Sequence, residues 1–168
     1  LTTNADLIAR RAGCPIQVVA ISARDRSKDR GVDLSPYEWV DDMTTLAGRD
    51  DIDAVVELIG GADGPALTLA RQCLKAGKPF VTANKAMLAH HGLDLAALAE
   101  QAGIALKYEA AVAGGIPVIK GLREGAAANE ISRVYGILNG TCNYILTTME
   151  KAKEAGNPRS FDDVLKEA

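Results

Sequence analysis

The sequence predicts an α/β fold in which a parallel sheet is doubly wound with helices. Strand candidates alternate with helix candidates along most of the 168 residues, and this alternation is typical of βαβ units. The strand candidates are short apolar runs rich in β-branched residues, and the helix candidates repeat apolar residues at spacings of three and four. The composition, 48% hydrophobic and 24% charged, is ordinary for a soluble α/β protein.

The chain opens on a helix candidate rather than on a strand. Residues 1–11 carry Leu7 and Ile8 on one side, and Gly13 is suited to end the helix. A natural chain seldom begins on the second half of a helix, so we expect the true start of the protein to lie upstream. Residues 16–22 form a β-branched run that predicts the first strand.

Glycine and proline mark the limits of many later elements, as with Pro65 in a first helical turn and Gly103 at a helix end. The predicted elements up to residue 108 are a loop over 32–40, a helical turn over 44–49, strands over 52–58, 79–82 and 104–108, and helices over 65–76, 86–90 and 93–102. Beyond it we predict helices over 118–127, 142–151 and 162–168 and a strand over 131–138. The expected core residues of the two central helices are Leu67, Ala70, Leu74, Leu95, Leu98, Ala99 and Ala102.

Charge and cysteine content exclude several classes of protein. The net charge is -3 with no basic stripe, which argues against a nucleic-acid partner. No apolar run is long enough to cross a bilayer, so we expect no membrane association. Three widely separated cysteines suggest neither a disulfide framework nor a metal site, which favours a reducing, cytoplasmic location. With only the adjacent His90 and His91, a His-rich metal site or a Ser-His-Asp triad has little support.

Lys85 follows a predicted strand directly. In open α/β sheets, ligands bind beyond the carboxyl ends of the strands. Asn84 is a good helix cap, so Lys85 would start a helix with its ammonium facing that crevice. The alternative is a solvated surface lysine.

Two further strand ends carry candidate cofactor contacts. Arg24 follows the first strand of this chain. In a dinucleotide fold the end of the second strand meets the adenosine ribose, and if this strand takes that place, arginine here accommodates the 2′-phosphate of NADP. Asp25 leaves NAD open, and a merely solvated loop is the alternative. Gly60 and Gly61 follow the strand over 52–58 and would permit close approach of a ligand, although paired glycines are also common in plain turns.

A glycine-rich loop over 109–117 interrupts the alternation of strands and helices. Gly114 and Gly115 precede Pro117, so the backbone must take an unusual path there. Such a bend can bring carbonyl oxygens together around a hard cation, or it can be a simple turn between domains.

Four motifs occur in order along the chain: V-E-L-I-G-G at 56–61, T-A-N-K at 82–85, E-A-A-V-A-G-G-I-P at 109–117 and Y-G-I-L-N-G-T-C-N-Y-I-L at 135–146. This combination closely resembles homoserine dehydrogenase over essentially all 168 residues. The resemblance implies a Rossmann-like NAD(P)-binding domain over 1–112, incomplete at its start. It also implies the beginning of an α+β catalytic and dimerisation domain over 113–168.

The resemblance implies an enzyme that reduces aspartate semialdehyde to homoserine with NADPH or NADH, on the route to threonine, methionine and isoleucine. It further implies a cytoplasmic homodimer. Lys85 matches a lysine at the nicotinamide edge, Gly60 and Gly61 match the loop beside the cofactor, and Arg24 matches the adenosine end. Thr141 matches a substrate-contacting threonine. The residues that match a sodium site of main-chain oxygens are Glu109, Val112, Gly114 and Ile116.

Two parts of the family pattern are missing. The family's G-x-G-x-x-G turn has no counterpart here, and its second catalytic lysine would lie beyond Ala168. We therefore expect the 168-residue piece alone to be inactive. The alternatives are another NAD(P)-linked dehydrogenase, such as one pairing a nucleophilic Cys142 with a histidine, or a non-catalytic dinucleotide-binding or dimerisation module.

Overall fold

The computed structural model describes residues 1–136 and 140–167. The helices are α1 (Ala5–Ala12), α2 (Pro65–Lys75), α3 (Lys85–Ala102), α4 (Val118–Lys120), α5 (Gly140–Glu154) and α6 (Phe161–Leu165). The strands are β1 (Ala20–Ile21), β2 (Glu38–Trp39), β3 (Val55–Glu57), β4 (Phe80–Thr82) and β5 (Leu106–Lys107). The 3-10 helices span Thr2–Asn4, Met43–Gly48, Glu109–Ala111 and Ala113–Gly115, and a π-helical turn over Gly121–Gly125 follows α4.

The strands form two sheets, and every pairing is parallel. β1 pairs with β2, and β4 lies between β3 and β5. In the three-stranded sheet Val55 lies opposite Phe80 and Glu57 opposite Thr82. Helix α2 connects β3 to β4, and α3 connects β4 to β5, as parallel pairing requires. The predicted α/β class with a parallel sheet is confirmed.

Helices α2 and α3 cover one face of the three-stranded sheet. Side chains alternate between the two faces of a strand, so Val55 and Phe80 are buried while Val56 and Val81 are exposed. The core contains Leu67, Ala70, Leu74, Leu95 and Ala99 as predicted, and Leu98 packs against it. Ala102 is exposed in the last turn of α3, so its assignment to the core was wrong.

Three further predictions about elements were wrong. Trp39 and Glu38, expected in a loop, form β2 because β1 supplies their partner strand. The helices over 86–90 and 93–102 are one helix, α3, in which Gly92 packs near Leu88. Within the described residues 131–136 no strand forms, since no partner strand lies beside them; residues 137 and 138 of that prediction lie outside the described residues.

The remaining elements are close to their predicted positions, with shifted limits. β1 is much shorter than the run over 16–22, and α4 gives way to a π-helical turn that begins and ends with glycine. Helix α5 extends beyond the predicted 142–151 at both ends. Among the helices in residues 1–136 and 140–167, none has the length and apolar content that crossing a membrane demands.

Candidate functional site

The carboxyl ends of β3 and β4 lie side by side and carry the main cluster of polar side chains. Glu57 ends β3, and Thr82 ends β4 in the same register position. Both residues are 1% exposed. Because parallel strands end at the same edge of the sheet, the loop after β3 and the start of α3 meet there.

The carboxyl group of Glu57 connects the loop that follows β3 to the end of β4. Its Oε1 accepts hydrogen bonds from the main-chain N–H of Ile59 at 2.5 Å and of Gly60 at 3.2 Å. Its Oε2 accepts a hydrogen bond from Thr82 Oγ1 at 2.5 Å. Burial of a carboxyl group is costly unless donors surround it, and three donors do so here.

Asn84 continues this network to α3. Its main-chain N–H donates to Thr82 Oγ1 at 2.9 Å, and its Oδ1 accepts from the Met87 N–H at 3.1 Å, which caps the helix as predicted. Its Nδ2 donates to the main-chain oxygen of Gly61 at 2.7 Å. Asn84 is 3% exposed; its bonds to Thr82 and Met87 are buried, and its bond to Gly61 is partly buried.

Gly60 and Gly61 both adopt left-handed backbone conformations, with φ of 88° and 90°. Residues with a Cβ rarely take these values, so the conformation explains the glycines. A Cβ added to Gly60 would meet no atom within 4 Å, so the space above this residue is open.

Lys85 is the first residue of α3, directly after Asn84, and its side chain is exposed. Within residues 1–136 and 140–167, its ammonium has neither an ion-pair nor a hydrogen-bond partner. The hydrogen bond from Asn84 to Gly61 brings the chain at Lys85 next to the glycine loop, defined here as residues 59–64.

His91 forms a second connection between this loop and α3. Its Nε2 lies 2.8 Å from Asp63 Oδ1. Neither this pair nor the role of Glu57 is among the residues predicted from the sequence. A glutamate in an otherwise apolar strand is a usable signal for Glu57, whereas nothing local links Asp63 to His91. The pairing of His91 with Asp63 also gives no support to a Cys142–histidine pair.

Arg24 is exposed three residues beyond β1. Nearby, the guanidinium carbons of Arg26 and Arg30 lie 5.7 and 5.6 Å from the centroid of the Trp39 ring. Arg26 and Trp39 also line a cavity of about 210 Å³. Asp25 accepts hydrogen bonds from the hydroxyl and the main-chain N–H of Ser27, and these lower the pKa of its carboxyl.

The loop over 109–117 has an unusual backbone. Ala113, Gly114 and Gly115 have φ of 57°, 55° and 95° in succession. Of the predicted sodium ligands, the main-chain oxygen of Glu109 accepts from the Val112 N–H at 3.4 Å, and that of Ile116 accepts from the Val118 N–H at 2.7 Å. In the described part of the chain, no three His, Cys, Asp or Glu side chains form a group that could hold a metal.

Thr141 lies in the first turn of α5 and is exposed. The structure thus brings Gly60 and Gly61 close to the start of α3 at Lys85, through Glu57 for Gly60 and through Asn84 for Gly61. No hydrogen bond within the described residues connects Arg24, the 109–117 loop or Thr141 to that cluster.

Two family models match the chain. The model for the homoserine dehydrogenase NAD-binding domain matches residues 2–109, and the homoserine dehydrogenase model matches residues 117–168. Homoserine dehydrogenase of Neisseria gonorrhoeae is 45% identical over 169 residues, which cover 100% of this chain and 37% of that protein.

Solved structures agree with this match. A homoserine dehydrogenase from Thiobacillus denitrificans superposes with a TM-score of 0.86 at 43% identity, covering 100% of this chain and 37% of that one. A hyperthermophilic archaeal homoserine dehydrogenase mutant, solved with NADPH, shares the fold with a TM-score of 0.71 at 24% identity; 98% of this chain and 55% of that one are covered. The chain thus spans just over a third of the length of the curated relatives.

Proposed function

The chain belongs to the homoserine dehydrogenase family, and we propose that the whole protein reduces L-aspartate 4-semialdehyde to L-homoserine with NADPH or NADH. This makes it an oxidoreductase acting on a CH–OH group, in the synthesis of threonine, methionine and isoleucine. The observation that carries the proposal is the hydrogen bond from Asn84 to Gly61, which joins the glycine loop to the residue preceding Lys85.

Two regions of the chain would divide the work. Residues 1–112 form part of the nucleotide-binding domain, and residues 113–168 begin the catalytic and dimerisation domain. The limits of the two family matches, 109 and 117, support a boundary in this region. Ile131, Val134 and Tyr135 are exposed apolar residues that a second copy would cover in a cytoplasmic homodimer.

The residues at the carboxyl ends of the strands fit a dinucleotide. Ser22 Oγ is buried just after β1 and has no hydrogen-bond partner within the described residues. Arg24 follows it with an exposed guanidinium, which suits the 2′-phosphate of NADP. Asp25, whose carboxyl is already bound to Ser27, is less available to a ribose hydroxyl, so NADP is favoured over NAD.

When bound, the reduced nicotinamide supplies the hydride. The ammonium of Lys85 faces open space and can stabilise the negative charge that develops on the aldehyde oxygen. Gly60 and Gly61 present main chain without side chains to the cofactor. Thr141 is proposed to contact the substrate.

The main-chain oxygens of Glu109, Val112, Gly114 and Ile116 are proposed to hold a sodium ion. The left-handed run at Ala113, Gly114 and Gly115 supports this, because it turns successive carbonyl groups away from a regular helical direction. A carbonyl oxygen that already accepts one hydrogen bond has a second lone pair for a cation.

The proposal is tested by Lys85→Ala in the full-length parent enzyme, of which this chain would form about a third, as it does of its relatives. Loss of electrostatic stabilisation should lower kcat roughly 100-fold to 1000-fold, with an unchanged circular dichroism spectrum. Lys75→Ala is the matched control, since Lys75 is an exposed lysine in the last turn of α2, and it is the first turn of that helix that follows the glycine loop. Unchanged turnover in Lys85→Ala would contradict the proposal and favour a non-catalytic module.

A further inference from the structure

The glycine loop is held almost entirely by polar contacts. Ile59 in the loop and Leu58 just before it are 49% and 75% exposed, so their side chains add little packing. The main-chain N–H groups of Ile59 and Gly60 point to the buried Glu57 carboxyl, and the main-chain oxygen of Gly61 points to Asn84. The loop is therefore held by two of its main-chain N–H groups, through Glu57, and by one of its main-chain oxygens, through Asn84.

Asn84 does more than cap α3. Capping requires only its Oδ1, which accepts from Met87, and serine or aspartate would cap equally well. The amide Nδ2 is the additional group, and it reaches 23 residues back along the chain to Gly61. Asn84 itself is 3% exposed, and its contact with the exposed Gly61 is partly buried.

Thr82 closes the network into one unit. Its hydroxyl donates to Glu57 and accepts from the main-chain N–H of Asn84. The first three residues of the glycine loop are thus bound to the ends of β3 and β4 and to the residue that caps α3. The position of the Lys85 backbone relative to the loop follows from that geometry.

We propose that Asn84 is a positioning residue whose side-chain amide sets the distance between the glycine loop and Lys85. The proposal rests on the proposed function, in which the loop lines the cofactor and Lys85 faces the substrate. Without the amide, Glu57 still binds the Ile59 and Gly60 amides and His91 still contacts Asp63, but the Gly61 segment loses its tie to α3. The cofactor would then have to order that segment as it binds, which weakens cofactor binding.

The test is Asn84→Ser in the full-length enzyme, because serine keeps the cap oxygen and removes the amide. We expect hydrogen exchange of the Ile59 and Gly60 amides to accelerate roughly tenfold, the effect of losing one hydrogen bond. The Met87 amide, still capped, should exchange as before. The KM for NADPH should rise by a similar, roughly tenfold factor.

Asn84→Asp is the second variant, and it decides the matter if Asn84→Ser does not fold. It also keeps the cap and lacks the amide donor, and its carboxylate would face the main-chain oxygen of Gly61, so it should show these changes at least as strongly. Asp42→Ser is the matched control, since Asp42 caps the 3-10 helix Met43–Gly48 through an exposed side-chain bond to the Thr44 amide and has no amide donor to lose.

Two results would overturn the proposal: unchanged loop exchange and KM in a folded variant, or loss of kcat alone with KM unchanged, which indicates only fewer folded molecules. The exchange measurement needs no substrate. It therefore stands independently of the Lys85→Ala experiment that tests the proposed function.

Discussion

Removal of the Glu57 carboxyl should loosen the edge of the sheet that carries the site. Three hydrogen bonds converge on this group, from Ile59, Gly60 and Thr82. We consider Glu57→Ala, which removes the side chain, Glu57→Met, which keeps its volume, and Glu57→Gln, which keeps its shape and one acceptor oxygen.

The expected loss follows from how exposed the three donors are. Leaving a buried donor unsatisfied costs about 1–3 kcal/mol, so three such donors would give an upper limit of about 9 kcal/mol. Ile59 is 49% exposed and Gly60 is also exposed, so water can reach their amides, whereas Thr82 is 1% exposed. We therefore expect about 2–4 kcal/mol for Glu57→Ala and Glu57→Met, and about 1 kcal/mol for Glu57→Gln.

Native-state hydrogen exchange measures this loss locally. The Ala83 amide donates to the main-chain oxygen of Glu57 at 3.1 Å and reports opening between β3 and β4. A loss of about 2–4 kcal/mol should accelerate its exchange roughly 30-fold to 700-fold. If Glu57→Met exchanged at the wild-type rate, cavity volume rather than hydrogen bonding would explain the role of Glu57, and the reasoning would be refuted.

Two further predictions concern the core. Burial raises the pKa of the Cys73 thiol from 9.0 to about 11, so its stabilising contribution is complete below pH 9.0 and is lost as the pH rises through about 11. Native protein treated with iodoacetamide at a pH near 8 should therefore be alkylated at exposed Cys14 and spared at Cys73, as mass spectrometry of the peptides would show; equal labelling would contradict this. Phe80→Ala removes a ring that is 0% exposed and should cost about 3–5 kcal/mol, with a marked fall in Tm. Val81→Ala, a change of a 36% exposed residue in the same strand, should lower Tm far less, and equal shifts would argue against a one-sided core.

Elements with strong local signals were predictable. Pro65 is the first residue of α2, a position that suits proline. Asn84 caps α3 through its side chain, as its residue type indicated. Phe80 and Val81 are strand formers in a short apolar run, and they do form β4. Such signals act within a few residues and therefore need no knowledge of the fold.

Elements that depend on a partner were not predictable. β2 exists because β1 lies beside it, whereas residues 131–136 have β-branched residues but no neighbouring strand within the described residues. A strand is stabilised by hydrogen bonds to another strand, so its residue pattern alone is insufficient. At Gly92 the predicted break between two helices does not occur. The packing of α3 against the core outweighs the weak tendency of a single glycine to interrupt a helix.

The sequence by itself determined the α/β class, the βαβ order and the place of Lys85 after a strand and a helix cap, because periodicity and capping are local properties of the chain. Only the tertiary structure decided that Glu57 meets Thr82, Asn84 meets Gly61 and Asp63 meets His91. These pairs are 25, 23 and 28 residues apart, and their contacts arise from the parallel register of β3 and β4 and the packing of α3 beside them. A register is set by the burial of whole strand faces, so no short motif contains it.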